Sequence, residues 1–202
     1  MEEEKNKNGK DREATENSLI QAVGELVEEN GFEQLGVNAI ASRAGVSKML
    51  IYRYFGSMEG LIATYIRQND FWINFSSEPS TPEQVGDYIK EMFHGQIAQL
   101  RYNKTLKRLY RWELSSTNPF VEELRRHREQ KGIQRIALVS RLTGHSHEET
   151  AAMATFLSAS LSYLALLEEN CATYNGIPLQ EDKGWQQIEA GIDRLVDDWL
   201  KK

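Results

Sequence analysis

Lys48, Met49 and Tyr52 are the residues whose type and spacing could do chemistry on a partner. They belong to the run Gly45-Val46-Ser47-Lys48-Met49-Leu50-Ile51-Tyr52-Arg53-Tyr54-Phe55. On a short helix, Val46, Ile51 and Phe55 face a core while Lys48, Met49 and Tyr52 face outward together. Lysine can reach a phosphate or a guanine edge, and tyrosine hydroxyls are good phosphate donors. Ser47 is expected to cap this helix, and a capped N-terminus with free N–H groups suits a phosphate. No Asp or Glu occurs from Gln34 to Met58, whereas Arg43, Lys48 and Arg53 do. A local basic window, not the whole-chain charge, is the footprint that a phosphate backbone reads. The chemistry that fits is recognition of a nucleic acid.

Nearly every segment that must position these residues reads as helix. The charged segment from Met1 to about Lys10 is expected to be a disordered tail, after which Leu19, Val23, Leu26 and Val27 recur at helical spacing. Asn30-Gly31 ends that helix, with Phe32 placed for a hydrophobic contact back onto it. A short helix is expected from about Val37 to Ala44 with Ile40 and Ala41 inward. Gly45 breaks it, and Gly56-Ser57 separates the next helix from a fourth beginning near Met58. Two short helices joined by a glycine turn make a helix-turn-helix, whose second helix enters the major groove.

Downstream, Thr81-Pro82-Glu83-Gln84 combines a capping box with a first-turn proline, and an apolar stripe follows from Val85 to Leu100. Asn118-Pro119 opens another helix toward Leu142. Ser146-x-x-Glu149 is a second capping box, opening a segment expected to run to about Tyr174. Ala151–Leu167 carries no charge, and a helix apolar all round must be buried on several sides. Gly176-Ile177-Pro178 closes it, and the last helix places Trp185, Ile188, Ile192, Leu195, Val196 and Trp199 on one face. No run alternates with period two, so no sheet is expected. The fold class is all-α.

Composition bounds the function. The 202 residues carry 24 basic and 30 acidic side chains, net −6, with 40% hydrophobic residues. That is enough to bury a core, which excludes a wholly disordered chain. No stretch approaches the roughly 18 consecutive apolar residues of a membrane span, so no membrane partner is expected. The N-terminus lacks the shape of a secretory signal, and a lone Cys171 fits a reducing cytoplasm. Charge is segregated: residues 101–141 are net +7 and residues 142–202 net −6. The basic block, Arg101 to Arg135, could bind an anionic effector or supplement nucleic-acid binding; as a bland alternative it is a solvated helix face. His145-x-His147 could be half a metal site, but no third ligand stands nearby, so a loop pair beside a helix cap is expected. Cys171 has Glu168 and Glu169 nearby and nothing basic, and reads as a structural thiol. No phosphate loop, nucleophile elbow or zinc-protease motif is present, so neither an enzyme nor a cofactor is expected.

The chain resembles the TetR (tetracycline repressor) family of bacterial transcription regulators from about Ile20 to Ile66. The resemblance is carried by Gly31-Phe32, Ile40-Ala41, Arg43-Ala44-Gly45-Val46-Ser47, Ile51-Tyr52-x-Tyr54-Phe55 and Ser57-x-Glu59-x-Leu61. It implies a three-helix DNA-binding domain over residues 11–56 and a larger C-terminal helical domain over 57–202 that dimerises and often holds a small-molecule pocket. The chain departs from the family at Gly36, where a Ser or Thr cap is usual, at Met49 and Leu50, and at Met58, where a phosphate-contacting lysine is common. Met49 and Leu50 are open to two readings: contact with thymine methyls, or packing beside the duplex.

These readings set the expectations. Asn38, Ser47, Lys48, Met49, Leu50, Tyr52 and Tyr54 are expected at a double-stranded, palindromic DNA operator. Trp72, Phe93, Tyr110, Trp112, Phe156 and Tyr163 are expected to line the pocket of a small-molecule effector. Leu157, Leu161, Leu164, Ile192 and Trp199 are expected in a homodimer interface. The function implied is a ligand-responsive, cytoplasmic transcriptional regulator, a repressor by resemblance. The alternative is an effector-free DNA-binding or protein-interaction member of the same fold; a cavity in the C-terminal core favours the first and a filled core the second.

Overall fold

The structure, a computed structural model, describes the backbone of residues 2–68, 78–116 and 119–201, and the side chains of 11–68, 78–116 and 121–201. Among these residues the chain is helical throughout except for one small hairpin, and it divides into two compact units: Met1–Trp72 with Arg111–Phe120, and Ile73–Tyr110 with Val121–Lys202.

The first unit is built on α1 (Glu2–Asn30), α2 (Val37–Arg43), α3 (Met49–Phe55) and α4 (Met58–Gln68). Leu19, Val23 and Val27 are fully buried along one face of α1, which packs on α2 and α4, while α3 packs on α4. α1 begins at Glu2, so the expected disordered tail is helical instead. Glu and Lys are strong helix formers, and glutamates in the first turn favour the positive end of the helix dipole. α1 ends at Gly31, whose N–H reaches the Val27 carbonyl at 2.9 Å. Phe32 is buried after it, stacked on Trp112 at 5.1 Å between ring centroids.

α4, read from sequence as the start of the second domain, clusters with the first. Ser57 caps it, its hydroxyl accepting the Gly60 N–H at 3.0 Å. Gly60 is required by a close approach: a Cβ there would lie 2.2 Å from the Phe55 carbonyl oxygen. The end of α3 and the start of α4 are thus in backbone contact.

The second unit contains α5 (Val85–Tyr102), the start of α6 (Lys104–Ser115), α7 (Pro119–Thr143), α8 (His147–Leu167) and α9 (Asp182–Leu200). Both capping boxes form: Gln84 Oε1 accepts the Thr81 N–H at 3.3 Å, and Ser146 and Glu149 cap each other's backbone at 3.1 and 3.0 Å. α5 packs on α8 and α9, buries Val85, Ile89, Phe93, Ile97 and Leu100, and is tied to α9 by Lys90–Asp197 at 2.6 Å and His94–Asp193 at 2.8 Å. Asn118 lies outside the described residues.

α8 stops at Leu167 rather than near Tyr174. Beyond it, β1 (Thr173–Tyr174) pairs antiparallel with β2 (Ile177–Pro178), where no strand was expected. Asn175 and Gly176 both take positive φ, 50° and 80°, as a two-residue hairpin turn of the Asn-Gly type requires. Leu179 is then fully buried and its carbonyl accepts the Trp185 indole N–H at 2.7 Å.

α8 is also, among the described residues, the one helix long and apolar enough by length and composition to cross a bilayer, which strict counting of consecutive apolar residues misses. The hydroxyls that interrupt its apolar run turn back onto the helix: Ser160 donates to the Phe156 carbonyl at 2.6 Å and Ser162 to Ser158 at 2.8 Å.

The basic block is partly internal, so a solvated face does not describe it. Lys107 is 5% exposed and bonds Glu168 at 3.1 Å. Arg101 reaches the other oxygen of Glu168 at 3.0 Å and Asp182 at 2.9 Å, and lies 5.1 Å over the Trp185 ring. One carboxylate joins two nearly buried cations, and buried charges persist only when so paired.

Two outcomes are expected. Gly60→Ala forces Phe55 away and destabilises the chain by roughly 1–3 kcal/mol, as overpacking does, read as a lower melting temperature. Glu168→Ala takes from Lys107 its close carboxylate and from Arg101 one of two, and costs roughly 3 kcal/mol, measured by denaturant unfolding.

Candidate nucleic-acid interface and ligand cavity

α2 and α3 are joined through Gly45, whose φ of 68° is in the left-handed region that a side chain disfavours. The Val46 N–H returns to the Ala41 carbonyl at 3.0 Å, closing the turn. Ile40 and Ile51 are fully buried and Ala41 nearly so. Burying Ile51 decides what the opposite face of α3 presents. Met49 is 65% and Tyr52 48% exposed, and Ser47, Lys48 and Arg53 are exposed beside them.

The cap differs in detail from expectation. Ser47 Oγ accepts the Met49 N–H at a long 3.4 Å. The first turn is tightened by i→i+3 bonds, Leu50 N–H to Ser47 O at 3.0 Å and Ile51 N–H to Lys48 O at 3.1 Å.

The structure brings Ser47, Lys48, Met49 and Tyr52 onto one face. Leu50 is half-buried at its edge, and Asn38 is exposed near the start of α2. Tyr54 is set apart from that face: it is half-buried, with the Arg12 guanidinium from α1 5.1 Å over its ring. Arg53, missed as a site residue, stands one turn after Met49 on the exposed arc; its signal was its place in the acid-free window.

Arg43, counted in that window, is engaged elsewhere. It takes Glu29 with two nitrogens at 2.7 and 2.9 Å and Glu25 at 3.3 Å, clamping α2 to α1. Hydrogen bonding to Arg43 holds the Glu29 carboxyl below its ordinary range. The clamp is therefore complete above that range and is lost as pH falls through the lowered value. Lys48 and Arg53 are the cations of the window that remain on the exposed arc.

The second unit contains a cavity of about 170 Å³ between helices. α5 contributes Tyr88, Met92 and Phe93, α7 contributes Gly132, Arg135 and Val139, α8 contributes Met153 and Ser158, and α9 contributes Val196 and Trp199.

Of the expected pocket residues, Phe93 is there. Trp72 lies outside the described residues. Trp112 is spent on Phe32 in the first unit, and Tyr110 has Arg128 at 4.4 Å over its ring. Phe156 and Tyr163 point away from the core, 74% and 54% exposed. The expected interface residues are also redistributed. Leu157, Leu161 and Ile192 are buried in the chain's own core, and Leu164 is half-buried. Trp199 lines the cavity and stacks on His145 at 4.0 Å. That stack gives His145 a packing role, and the Cys171 thiol donates to the Thr173 carbonyl at 3.1 Å.

The glycine turn, the buried Ile51 and the exposed arc of α3 form a helix-turn-helix, and the second unit holds a cavity between its helices. Residues 19–65 match the sequence model of the bacterial regulatory proteins of the tetR family. The HTH-type transcriptional regulator BetI 1 of Chromohalobacter salexigens is 28% identical over 113 residues, which are 54% of this chain and 56% of that protein. The match thus spans just over half the length of that relative. MexZ, a repressor responsible for antibiotic resistance in Pseudomonas aeruginosa, superposes with a TM-score of 0.65 and 16% identity, over 93% of this chain and 95% of its own. A TetR-like transcriptional regulator from Rhodococcus sp. RHA1 gives 0.61 and 18%, over 91% and 96%. At these identities the likeness is one of fold.

Proposed function

We propose that this protein is a transcriptional repressor that occupies a palindromic operator as a dimer, without catalysis, in the cytoplasm, and releases it when a small molecule enters the cavity. The observation that carries this reading is the arc of α3: Lys48, Met49, Tyr52 and Arg53 are exposed while Ile51 is locked in the core. Lysine and arginine supply phosphate or guanine contacts, tyrosine a phosphate donor, and methionine an apolar surface for thymine methyls. Ser47, Leu50, Tyr54 and Asn38 flank the contact surface, Tyr54 as the residue that seats α3 against α1.

Dimerisation is supported by α8. Only 22% of its most apolar stretch is buried in the lone chain, and Phe156 and Tyr163 stand exposed on it, with Leu195 exposed on α9. An apolar face of this kind needs cover, and a second copy offers the same face by a twofold contact. The cavity supports the ligand-responsive reading over the effector-free one.

Selection of bound fragments from random DNA identifies the operator. Lys48→Ala and Tyr52→Phe are each expected to weaken operator binding by roughly 1–3 kcal/mol at one salt concentration. Lys48→Ala should also flatten the salt dependence by about 0.9 per half-site if the contact is to phosphate. Unchanged affinity in both variants refutes the assignment. For the dimer, Phe156→Glu with Tyr163→Glu should yield a folded monomer in sedimentation, because both side chains are exposed and the core is untouched. A well-folded monomer of the unmodified chain at micromolar concentration would exclude this interface.

A further inference from the structure

The cavity of the second unit specifies more than the presence of a ligand. Its volume of about 170 Å³ is close to the roughly 150 Å³ of an apolar protein cavity that admits one benzene ring. Met92, Phe93, Ile136, Val139, Met153 and Trp199 give it mainly apolar walls, and thioether and aromatic groups pack readily against a ring or a short chain. One formal charge lines it, the guanidinium of Arg135 on α7, and no carboxylate stands among its described lining residues. Tyr88, across on α5, is within hydrogen-bonding reach of Arg135; burial pushes its hydroxyl pKa up, against the lowering effect of that positive charge. The nearby acidic residues Glu78, Asp87 and Glu91 line a separate cavity that shares only Tyr88 with this one. A cation entering the apolar space would meet Arg135 and, among the described lining residues, no carboxylate. An anion would meet a guanidinium, which carries five N–H donors and takes a carboxylate with two of them.

We propose that the ligand of this cavity is a small apolar monocarboxylic acid, an aromatic acid of one ring or a short-chain fatty acid, with its carboxylate on Arg135 and Tyr88 and its body against Met92, Phe93, Met153 and Trp199. The proposal rests on the ligand-responsive reading and narrows it to a ligand class.

The test is a calorimetric titration of the full chain with benzoate, phenylacetate and hexanoate, set against benzyl alcohol and benzylamine. The acids are expected to bind, with benzyl alcohol and benzylamine weaker by at least about tenfold, the loss of a charge-assisted hydrogen bond. The ring acids and hexanoate distinguish the two sources of the carboxylate. Arg135→Gln should weaken the acids by about tenfold or more and leave benzyl alcohol within about twofold. Gly132 lines the cavity on α7, and a Cβ there meets nothing within 4 Å. Gly132→Leu is therefore expected to fill the space and abolish binding without lowering the melting temperature, and it serves as the second variant if Arg135→Gln does not fold. Benzylamine binding as well as benzoate, acid binding indifferent to Arg135→Gln, or acid binding that survives Gly132→Leu would overturn the proposal. Operator release is measured separately. Acids that bind without releasing DNA refute the ligand-responsive reading and keep the ligand class. Release of DNA by a different compound while no acid binds does the reverse.

Discussion

A helix of seven residues has too few internal hydrogen bonds to stand alone in water; isolated helices shorter than about 12–15 residues are marginal even with good sequences. α2 and α3 are both of this length, so their helicity is lent by what they bury. Ile40 and Ala41 on α2 and Ile51 on α3 are the buried side chains that supply it, with α1 and α4 as the surfaces they meet. The Arg43 clamp on Glu29 and Glu25 adds direction to that packing, and the backbone contact between Phe55 and Gly60 fixes the exit from α3. Everything exposed on α3 inherits its position from this arrangement. Lys48, Met49 and Tyr52 form a usable surface because Ile51 is not free to turn.

Charge plays two unlike roles in the molecule. On α3 it is solvated and available. In the second unit it is spent on architecture: Glu168 holds Arg101 and Lys107 together, and Asp193 and Asp197 on α9 meet His94 and Lys90 on α5. The segregation of a +7 block from a −6 block along the chain is thus in part the imprint of pairs that fold brings together. A block of like charges in sequence describes a surface only when its partners are not elsewhere in the same chain.

α8 resolves the apparent excess of its own hydrophobicity by serving two sides. Leu157 and Leu161 fill the core, Met153 and Ser158 border the cavity, and Phe156 and Tyr163 face outward. The helix is apolar all round because each face meets, or offers, an apolar neighbour.

The sequence by itself determined most of the helices, the caps at Thr81 and Ser146, and which face of α3 is exposed. Periodicity, the Ser146–Glu149 and Thr81–Gln84 boxes, and glycine at 31, 45 and 56 are local signals, legible because hydrogen bonds within four residues and backbone sterics act without reference to the rest of the chain. The same locality made Lys48, Met49 and Tyr52 readable, since one buried neighbour four or fewer residues away settles which way they face. Tyr54 escaped because its partner, Arg12, is far away in sequence, and the Asn175-Gly176 hairpin was a local signal left unread. The pocket and the apolar faces were decided only by tertiary structure. Which aromatic lines a cavity depends on which helix packs across from it. Phe93 and Trp199 meet in one cavity although distant in sequence, while Trp112 is claimed by Phe32 and Phe156 stands exposed. Composition counts candidates for such a site; the long-range contacts that exclude water choose among them.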